Sequence, residues 1–262
     1  MFVEFGYWSL SLGYLDFNMT YQNRTIGSHL YLVDEIGSTN TELLEHASRY
    51  EHGAVFCAKR QIAGRGRNKR EWRSHEGGLY FSYILKDWQN LSKIYPMVLL
   101  SALAVIRCIK TCATHGVAIK WPNDVYINHR KVCGILAESS TCGEKTNVVI
   151  GIGINVNNNV SHLKELRNPA VSLKECRGEE LDLNYLLNRI LDELDLLYKD
   201  FSAGHFSDHL PELNRLLYAK GQEMELSVAG SIHKITPLEF TEEAKLRCLE
   251  NGLEKSIFLG EL

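Results

Sequence analysis

Arginine and glycine alternate in one short stretch of this chain, Gln61-Ile62-Ala63-Gly64-Arg65-Gly66-Arg67. Glycine lets backbone N–H groups approach an anion closely, and arginine adds a planar, permanently charged donor that grips carboxylate or phosphate through paired bonds. Such a loop can wrap an anionic small molecule; the competing reading is an exposed basic loop, inert or resting on nucleic-acid phosphate. Its order is not that of a GxxxxGK[ST] phosphate loop, and no GxGxxG occurs. A second stretch runs Lys120-Trp121-Pro122-Asn123-Asp124 and continues at Arg130-Lys131-Val132-Cys133-Gly134-Ile135-Leu136. Pro122 biases Trp121 away from the helical region, which ends a strand and sets Asn123 and Asp124 in a tight turn at a sheet edge. Lys131 opens the next apolar strand, where its ammonium can project into a cleft, and Gly134 removes a side chain from one strand face. Plain turn chemistry and a solvated strand end would explain the same residues. In the third stretch, Val149-Ile150-Gly151-Ile152-Gly153-Ile154-Asn155-Val156, alternate glycines clear one face of an apolar strand, each costing roughly 0.5–1 kcal/mol. A flat ligand or a closely packed helix would fill that space equally well, and Asn155 ends the strand with a donor and an acceptor to offer.

These segments need elements to hold them. His29 to Ile36 alternates as a strand, and Ser38-Thr39-Asn40-Thr41-Glu42 opens a helix, with Thr39 as cap and Glu42 as its capping-box partner. Ala54 to Ala58 reads as a short buried strand, and the long polar loop Lys59 to Gly78 follows it. Leu79 to Leu85 is a strand of aromatic and branched residues. Pro96 to Thr114 reads as a buried helix stopped by Gly116 at its C′ position. Strands are expected at Val117 to Trp121, at Val125 to Ile127 turning through Asn128-His129 into Lys131 to Glu138, and at Asn147 to Val156. Leu183 to Phe201 is an amphipathic helix with Leu186, Leu187, Ile190, Leu194 and Leu197 on one face. From about Lys220 the texture changes to four or five short strands with turns at Ala229-Gly230 and Asn251-Gly252. The sum is an α+β fold with mostly antiparallel strands, followed by a small all-β module.

Bulk properties restrict the function. The chain has 262 residues, 45% hydrophobic and 23% charged, with a formal net charge of −3, so a polyanion-binding role for the whole surface is disfavoured and any positive site must be local. The seven cysteines form no CxxC and lie at no zinc-ligand spacing, and Cys108 with Cys112 alone makes a poor metal site; they read as thiols of a reducing cytoplasm, with no metal site expected. No apolar run reaching the ~20 residues of a bilayer span stands out, and no membrane role is expected. The apolar, aromatic start lacks the basic region and cleavage site of a signal peptide. Met19 opens a more polar stretch, so the first eighteen residues read as an upstream extension, and residues 1–28 as an extension of the first domain.

Taken in order, STN, then Gln-x-x-GRGR with a tryptophan five residues after its last arginine, GGLYFS, KWPND, RK-x-x-GIL and GIGIN resemble the catalytic domain of the biotin protein ligases from about Ser38 to Asn157. The tail, ending Phe258-Leu259-Gly260-Glu261-Leu262, is similar to their small SH3-like domain. The resemblance implies a class II aminoacyl-tRNA synthetase/biotin ligase-like catalytic domain with a mixed, mainly antiparallel sheet over residues 1–217, and an SH3-like β-barrel over 218–262. It further implies that Ser38, Thr39 and Gln61 hydrogen-bond the ureido ring of biotin, with Asn40 of the same motif beside them. Arg65 and Arg67, with Gly64 and Gly66, would close around the carboxylate and the adenylate phosphate. Lys131 would contact the reacting oxygens, and Gly134, Gly151 and Gly153 would let biotin lie against the sheet. Trp72 would pack near adenine, with Lys120, Asn123 and Asp124 beside the phosphates and Asn155 on the nucleotide side.

The implied activity is an ATP- and Mg²⁺-dependent ligase that forms biotinyl-5′-AMP and passes biotin to a lysine of a biotin carboxyl carrier protein domain. A lipoate ligase is the nearest enzymatic alternative, and a biotin-binding protein without turnover is the alternative of another class. This chain departs from the family loop GRGRxGRxW by placing Lys69 where a glycine is usual. Only 37 residues precede the STN motif, too few for the winged helix-turn-helix of the repressor branch, so no direct DNA binding is expected. A monomer or a homodimer would be compatible.

Overall fold

The computed structural model describes residues 17–21, 23–113, 116–143, 145–160, 169–228 and 231–258. The first strands are β1 (Phe17–Thr20), β2 (His29–Ile36), β3 (Val55–Gln61) and β4 (Leu79–Leu85). They are followed by β5 (Val117–Lys120), β6 (Asp124–Ile127), β7 (Arg130–Cys142) and β8 (Lys145–Ile154). All eight form one mixed sheet in the order β1-β2-β3-β4-β8-β7-β6-β5. Only β2 and β3 are parallel; every other neighbouring pair is antiparallel. Residues 17–21 and 23–28, read from sequence as part of an extension, belong to this framework. Phe17–Thr20 pairs with β2, Ile26 is fully buried, and the backbone N–H groups of Thr25 and Ile26 donate to Asp195 Oδ1 at 2.7 and 2.9 Å.

The two faces of the sheet are covered differently. Helix α2 (Ile94–Ile109) lies on one face, and α4 (Leu183–Ser202) packs on α2 through the stripe Leu186, Leu187, Ile190, Leu194 and Leu197, all buried. The segment Leu91–Ile109 is apolar and long enough to cross a membrane by composition, but most of it is buried within the protein. Arg107 fastens this layer, pairing with Glu193 on α4 and with Glu212 on α5 (Leu210–Arg215). On the opposite face sits α1 (Thr39–Glu45), whose Leu43 joins Phe56, Ala58, Ile84 and Val149 in a second, smaller core. A short helix, α3 (Leu173–Arg177), follows β8.

The tail forms a second sheet, β12-β11-β10-β9, from β9 (Met224–Val228), β10 (Ser231–Phe240), β11 (Leu246–Glu250) and β12 (Leu253–Ile257). It is antiparallel throughout, and its buried Leu226, Ile235, Phe240 and Leu246 are continuous with the main core. The expected turn at Asn251-Gly252 is present with φ of 53° and 78°, the pair of left-handed conformations a two-residue hairpin favours. The expected turn at Ala229-Gly230 lies outside the described residues, as do residues 1–16.

Several element ends differ from the sequence reading. Ser38, not Thr39, caps α1, its hydroxyl accepting from Thr41 N, because the Thr39 hydroxyl is engaged with Ser82 and Gln61. Helix α2 stops at Ile109, and Gly116 belongs instead to the approach to β5. There φ is +76°, and a Cβ would meet Asn128 Oδ1 at 2.0 Å, so the glycine serves the packing of the β5–β6 hairpin.

Candidate active site

Strand register explains where the site is. On the face carrying α1, one row across the sheet reads Ala58, Tyr80, Gly153, Gly134, and the next reads Phe56, Ser82, Gly151, Leu136. Beyond α1 the glycines leave this face low, and a cavity of about 670 Å³ opens over it. Of the residues singled out in the sequence, Ser38, Thr39, Asn40, Gln61, Arg65, Gly66, Arg67, Trp72, Lys120, Asn123, Asp124, Lys131, Gly134, Gly151, Gly153 and Asn155 line it; Gly64 does not.

The polar end lies beneath the start of α1. Thr39 N and Oγ1 both donate to Gln61 Oε1, at 2.9 and 3.2 Å, and Thr39 Oγ1 is 2.6 Å from Ser82 Oγ. Gln61 Nε2 donates to Ser74 Oγ at 2.8 Å. This cluster of hydroxyls and amides can meet a compact heterocycle that both donates and accepts. Asn40 lines the cavity, yet its amide is committed inside the protein. Oδ1 accepts from Ser82 Oγ at 2.6 Å, while Nδ2 donates to Glu138 Oε2 at 2.8 Å and to Leu136 O at 3.2 Å.

The cationic end is built by the turn before β6, the start of β7 and the loop after β3. The Trp121–Pro122 peptide is cis, and Asn123 is pinned across the turn by Nδ2 donating to Ile135 O at 2.6 Å. Asp124 begins β6 and pairs with Lys131 Nζ at 2.6 Å. Lys120 Nζ sits over the rings of Tyr126 and Tyr218, 5.0 and 5.6 Å from their centroids. Burial draws the Arg67 guanidinium below its ordinary pKa, against the opposing charge of Asp124, so this cation faces the cavity poorly hydrated. Asn155 is buried beyond the end of β8 and accepts from Asn158 Nδ2 at 3.0 Å.

The arginine-rich loop is itself a small hairpin. Trp72 N donates to Gly64 O, Gly66 N to Arg70 O, and Arg65 bridges to Glu71. Gly64 earns its place here, because a Cβ would lie 2.5 Å from Trp72 O. The left-handed residue at the tip is Asn68, with φ 55°, a residue type that tolerates this region. Lys69, where the family loop has glycine, therefore carries no left-handed backbone. The hairpin lays Trp72 across the glycine pair: a Cβ on Gly153 would meet its Nε1 at 2.5 Å, and one on Gly134 its Cζ3 at 2.8 Å. Lys131 Nζ lies 5.1 Å from the centre of the indole, whose N–H is enclosed without a hydrogen-bond partner among the described residues. The space cleared by Gly151 is taken by Asn40, whose Oδ1 sits 2.1 Å from where a Cβ would be.

Several residues were not anticipated. Ser82 and Glu138, polar interruptions of apolar strands visible in LYFSYIL and GILAE, hydrogen-bond Asn40 from outside the lining, while Tyr126 and the β9 residues Glu225 and Leu226 line the cavity with no local signal. Cys133 is buried under the site, and desolvation pushes its thiol well up, which suits a packed side chain rather than a nucleophile.

An eight-stranded α+β sheet with a polar pocket at one end of a cavity and a cationic hairpin at the other suits an enzyme that binds an organic acid and a nucleotide together. Residues 32–155 match the biotin/lipoate A/B protein ligase family. The bifunctional ligase/repressor BirA of Bacillus spizizenii is 37% identical over 190 residues, 71% of this chain and 58% of that protein. The biotin–[acetyl-CoA-carboxylase] ligase of Paracoccus denitrificans is 38% identical over 122 residues, 45% of this chain and 51% of that protein. The chain thus spans between half and three fifths of these relatives. The biotin protein ligase from Aquifex aeolicus, solved in complex with biotin and ATP, superposes with a TM-score of 0.77 at 30% identity, covering 88% of this chain and 96% of that one. The chain belongs to the biotin/lipoate protein ligase family, and among its members it groups with the biotin protein ligases.

Proposed function

We propose that the chain is an ATP-dependent ligase that adenylates biotin and transfers the biotinyl group to a lysine of a biotin carboxyl carrier protein domain. The observation that carries this reading is the joining, in one cavity, of the hydrogen-bonded pair Thr39 and Gln61 to the cations Arg67 and Lys131. The first end suits a ureido ring, which offers two N–H donors and a carbonyl; the second suits a carboxylate meeting a phosphate. Biotin carboxylate attacks the α-phosphate of ATP, the acyl–O–P bond forms, and pyrophosphate leaves with the electron pair of the broken P–O bond. Lys131 and Arg67 stabilise charge on the phosphoryl oxygens, and Asp124 holds Lys131 in place. The hairpin from Gly64 to Trp72 covers the mixed anhydride from water. A carrier lysine then attacks the acyl carbon, and AMP departs.

The family implies Mg²⁺. Among the described residues no group of three or more His, Cys, Asp or Glu stands ready to hold a metal. Asp124 fits the single protein carboxylate of a site completed by nucleotide phosphates, where the ion would neutralise phosphate charge. We read the finer fold as a class II synthetase-like catalytic domain with an SH3-like tail, working in the cytoplasm.

Pyrophosphate exchange into ATP, with biotin and then lipoate as the added acid, tests the proposal. Exchange that depends on biotin supports it. Exchange with lipoate alone keeps the chemistry and overturns the substrate, and silence with both, from folded protein supplied with Mg²⁺, leaves a binding role.

A further inference from the structure

We propose that Glu138 is a positioning residue that holds the arginine hairpin over the cavity; the proposal rests on the adenylation reading above. Glu138 lies on β7 outside the cavity lining, so it is placed to touch no substrate. Its carboxylate accepts from Arg65 Nη2 through both oxygens, at 3.2 and 3.3 Å, and Oε2 also accepts from Asn40 Nδ2 at 2.8 Å. Asn40 is in turn held by Ser82 Oγ, and Ser82 by Thr39.

The other flank of the hairpin is tied to the same cluster. Gln61, which accepts from Thr39, donates to Ser74 Oγ, and Ser74 Oγ donates to Trp72 O. One polar circuit therefore runs from Arg65 through Glu138, Asn40, Ser82, Thr39, Gln61 and Ser74 back to Trp72. It passes through the end of the cavity assigned to the substrate ring and fastens the hairpin on both flanks. Backbone bonds from Ile62 and Ala63 to Ile36 and Gly37 hold the base of this flank, and among the described residues the side-chain link from Arg65 is the one to Glu138. Its side chain is 29% exposed and that of Arg65 is 44% exposed, so without the carboxylate an arginine at a loop edge samples many rotamers. Alanine offers no acceptor to either Asn40 or Arg65. Glutamine keeps one carbonyl acceptor and loses the charge.

The full chain is compared with Arg65→Ala, Glu138→Ala, Glu138→Gln and the double variant Arg65→Ala/Glu138→Ala. Tryptic nicking at Arg67 to Arg73 of the unliganded protein, sites that every variant keeps, followed by intact mass, reports hairpin docking without relying on activity. Biotin-dependent pyrophosphate exchange gives KM and kcat, and thermal melting checks the fold. Glu138→Ala is expected to be nicked about fivefold faster, the scale of one partly exposed ion pair. Its KM for biotin should rise about tenfold with kcat within about twofold, the pattern of lost binding rather than lost chemistry. Glu138→Gln should fall between, and the double variant should be nicked no faster than Glu138→Ala, because the two residues act through one contact. Unchanged nicking in Glu138→Ala, or additive effects in the double variant, would overturn the proposal. So would a fall in kcat that tracks lost melting temperature and is not eased by glutamine. Should the alanine variant fail to fold, the glutamine variant decides by the same readings. If the parent shows no biotin-dependent exchange, the adenylation reading fails, while nicking still decides whether Glu138 docks the hairpin.

Discussion

Gly151→Ala is expected to destabilise the protein far more than an added methyl group on a β-strand would suggest. An alanine Cβ would stand 2.1 Å from Asn40 Oδ1 and 2.9 Å from Asn40 Cγ, so Asn40 must leave its place. In leaving it breaks the bonds with Ser82 Oγ, Leu136 O and Glu138 Oε2, all near a face with little water. Neutral hydrogen bonds contribute about 1 kcal/mol each and one to a carboxylate about 1.5–3, which places the loss at about 3–5 kcal/mol if all three go. If Asn40 retains the carboxylate, the loss is about 2 kcal/mol. Urea denaturation followed by far-UV circular dichroism measures it. The cause is isolated by a double-mutant cycle: Asn40→Ala removes the clash together with the bonds. The double variant should therefore be no less stable than Asn40→Ala alone, a coupling of about 2 kcal/mol or more. A loss below about 1 kcal/mol for Gly151→Ala, or simple additivity, would refute the claim that Asn40 fills the cleared face.

Gly153→Ala should differ in kind: its Cβ meets Trp72 Nε1 at 2.5 Å, on a surface hairpin that can swing away. Stability should change by under about 1 kcal/mol, while KM for ATP rises about tenfold, as steady-state exchange kinetics would show. Lys131→Ala should slow single-turnover adenylation about 10²–10³-fold, and a rate near that of the parent would remove Lys131 from its role. In Arg67→Ala the adenylate should escape, seen as free biotinyl-AMP accumulating in solution. Burial pushes the Glu212 carboxyl up, but hydrogen bonds from Arg107 and Lys110 outweigh it and hold it below the ordinary range. A depressed folded value stabilises above the unfolded pKa of about 4.3 and fades as pH falls through the folded one. Glu212→Gln should therefore cost about 1–3 kcal/mol at pH 7, with the two denaturation curves converging in acid.

Where local forces decide an element, the chain could be read directly. Leu79–Leu85 has the expected bounds because aromatic and branched residues, interrupted by Ser82, run from Gly78 to Lys86, and the stripe on α4 is buried as its spacing demands. The helix α2 could not be bounded this way. It begins at Ile94 because proline is tolerated in a first turn, so Pro96 lies inside the helix instead of opening it. It ends before Gly116 because that glycine answers to Asn128 in the β5–β6 hairpin and not to the helix. Capping at Ser38 was misassigned for a similar reason. Ser38 and Thr39 can both cap, and the choice falls to Ser82 and Gln61, which claim the Thr39 hydroxyl from other strands.

The site shows the same division more sharply. A glycine in an apolar strand announces that a side chain is missing, and the GIGIN pattern announces it twice on one face. It does not say what fills the gap, since the filler comes from a distant part of the chain. Above Gly151 stands Asn40, tied by three hydrogen bonds into a rigid helix start; above Gly153 and Gly134 stands Trp72, carried on a hairpin together with Arg65 and Arg67. One gap is therefore closed by structure, and the other by a ring that can yield its place. A ligand entering over Gly153 and Gly134 must displace the Trp72 ring, which the hairpin carries beside the arginines meant for that ligand. Two glycines two residues apart, indistinguishable in sequence, thus divide between holding the fold and coupling ligand entry to loop position.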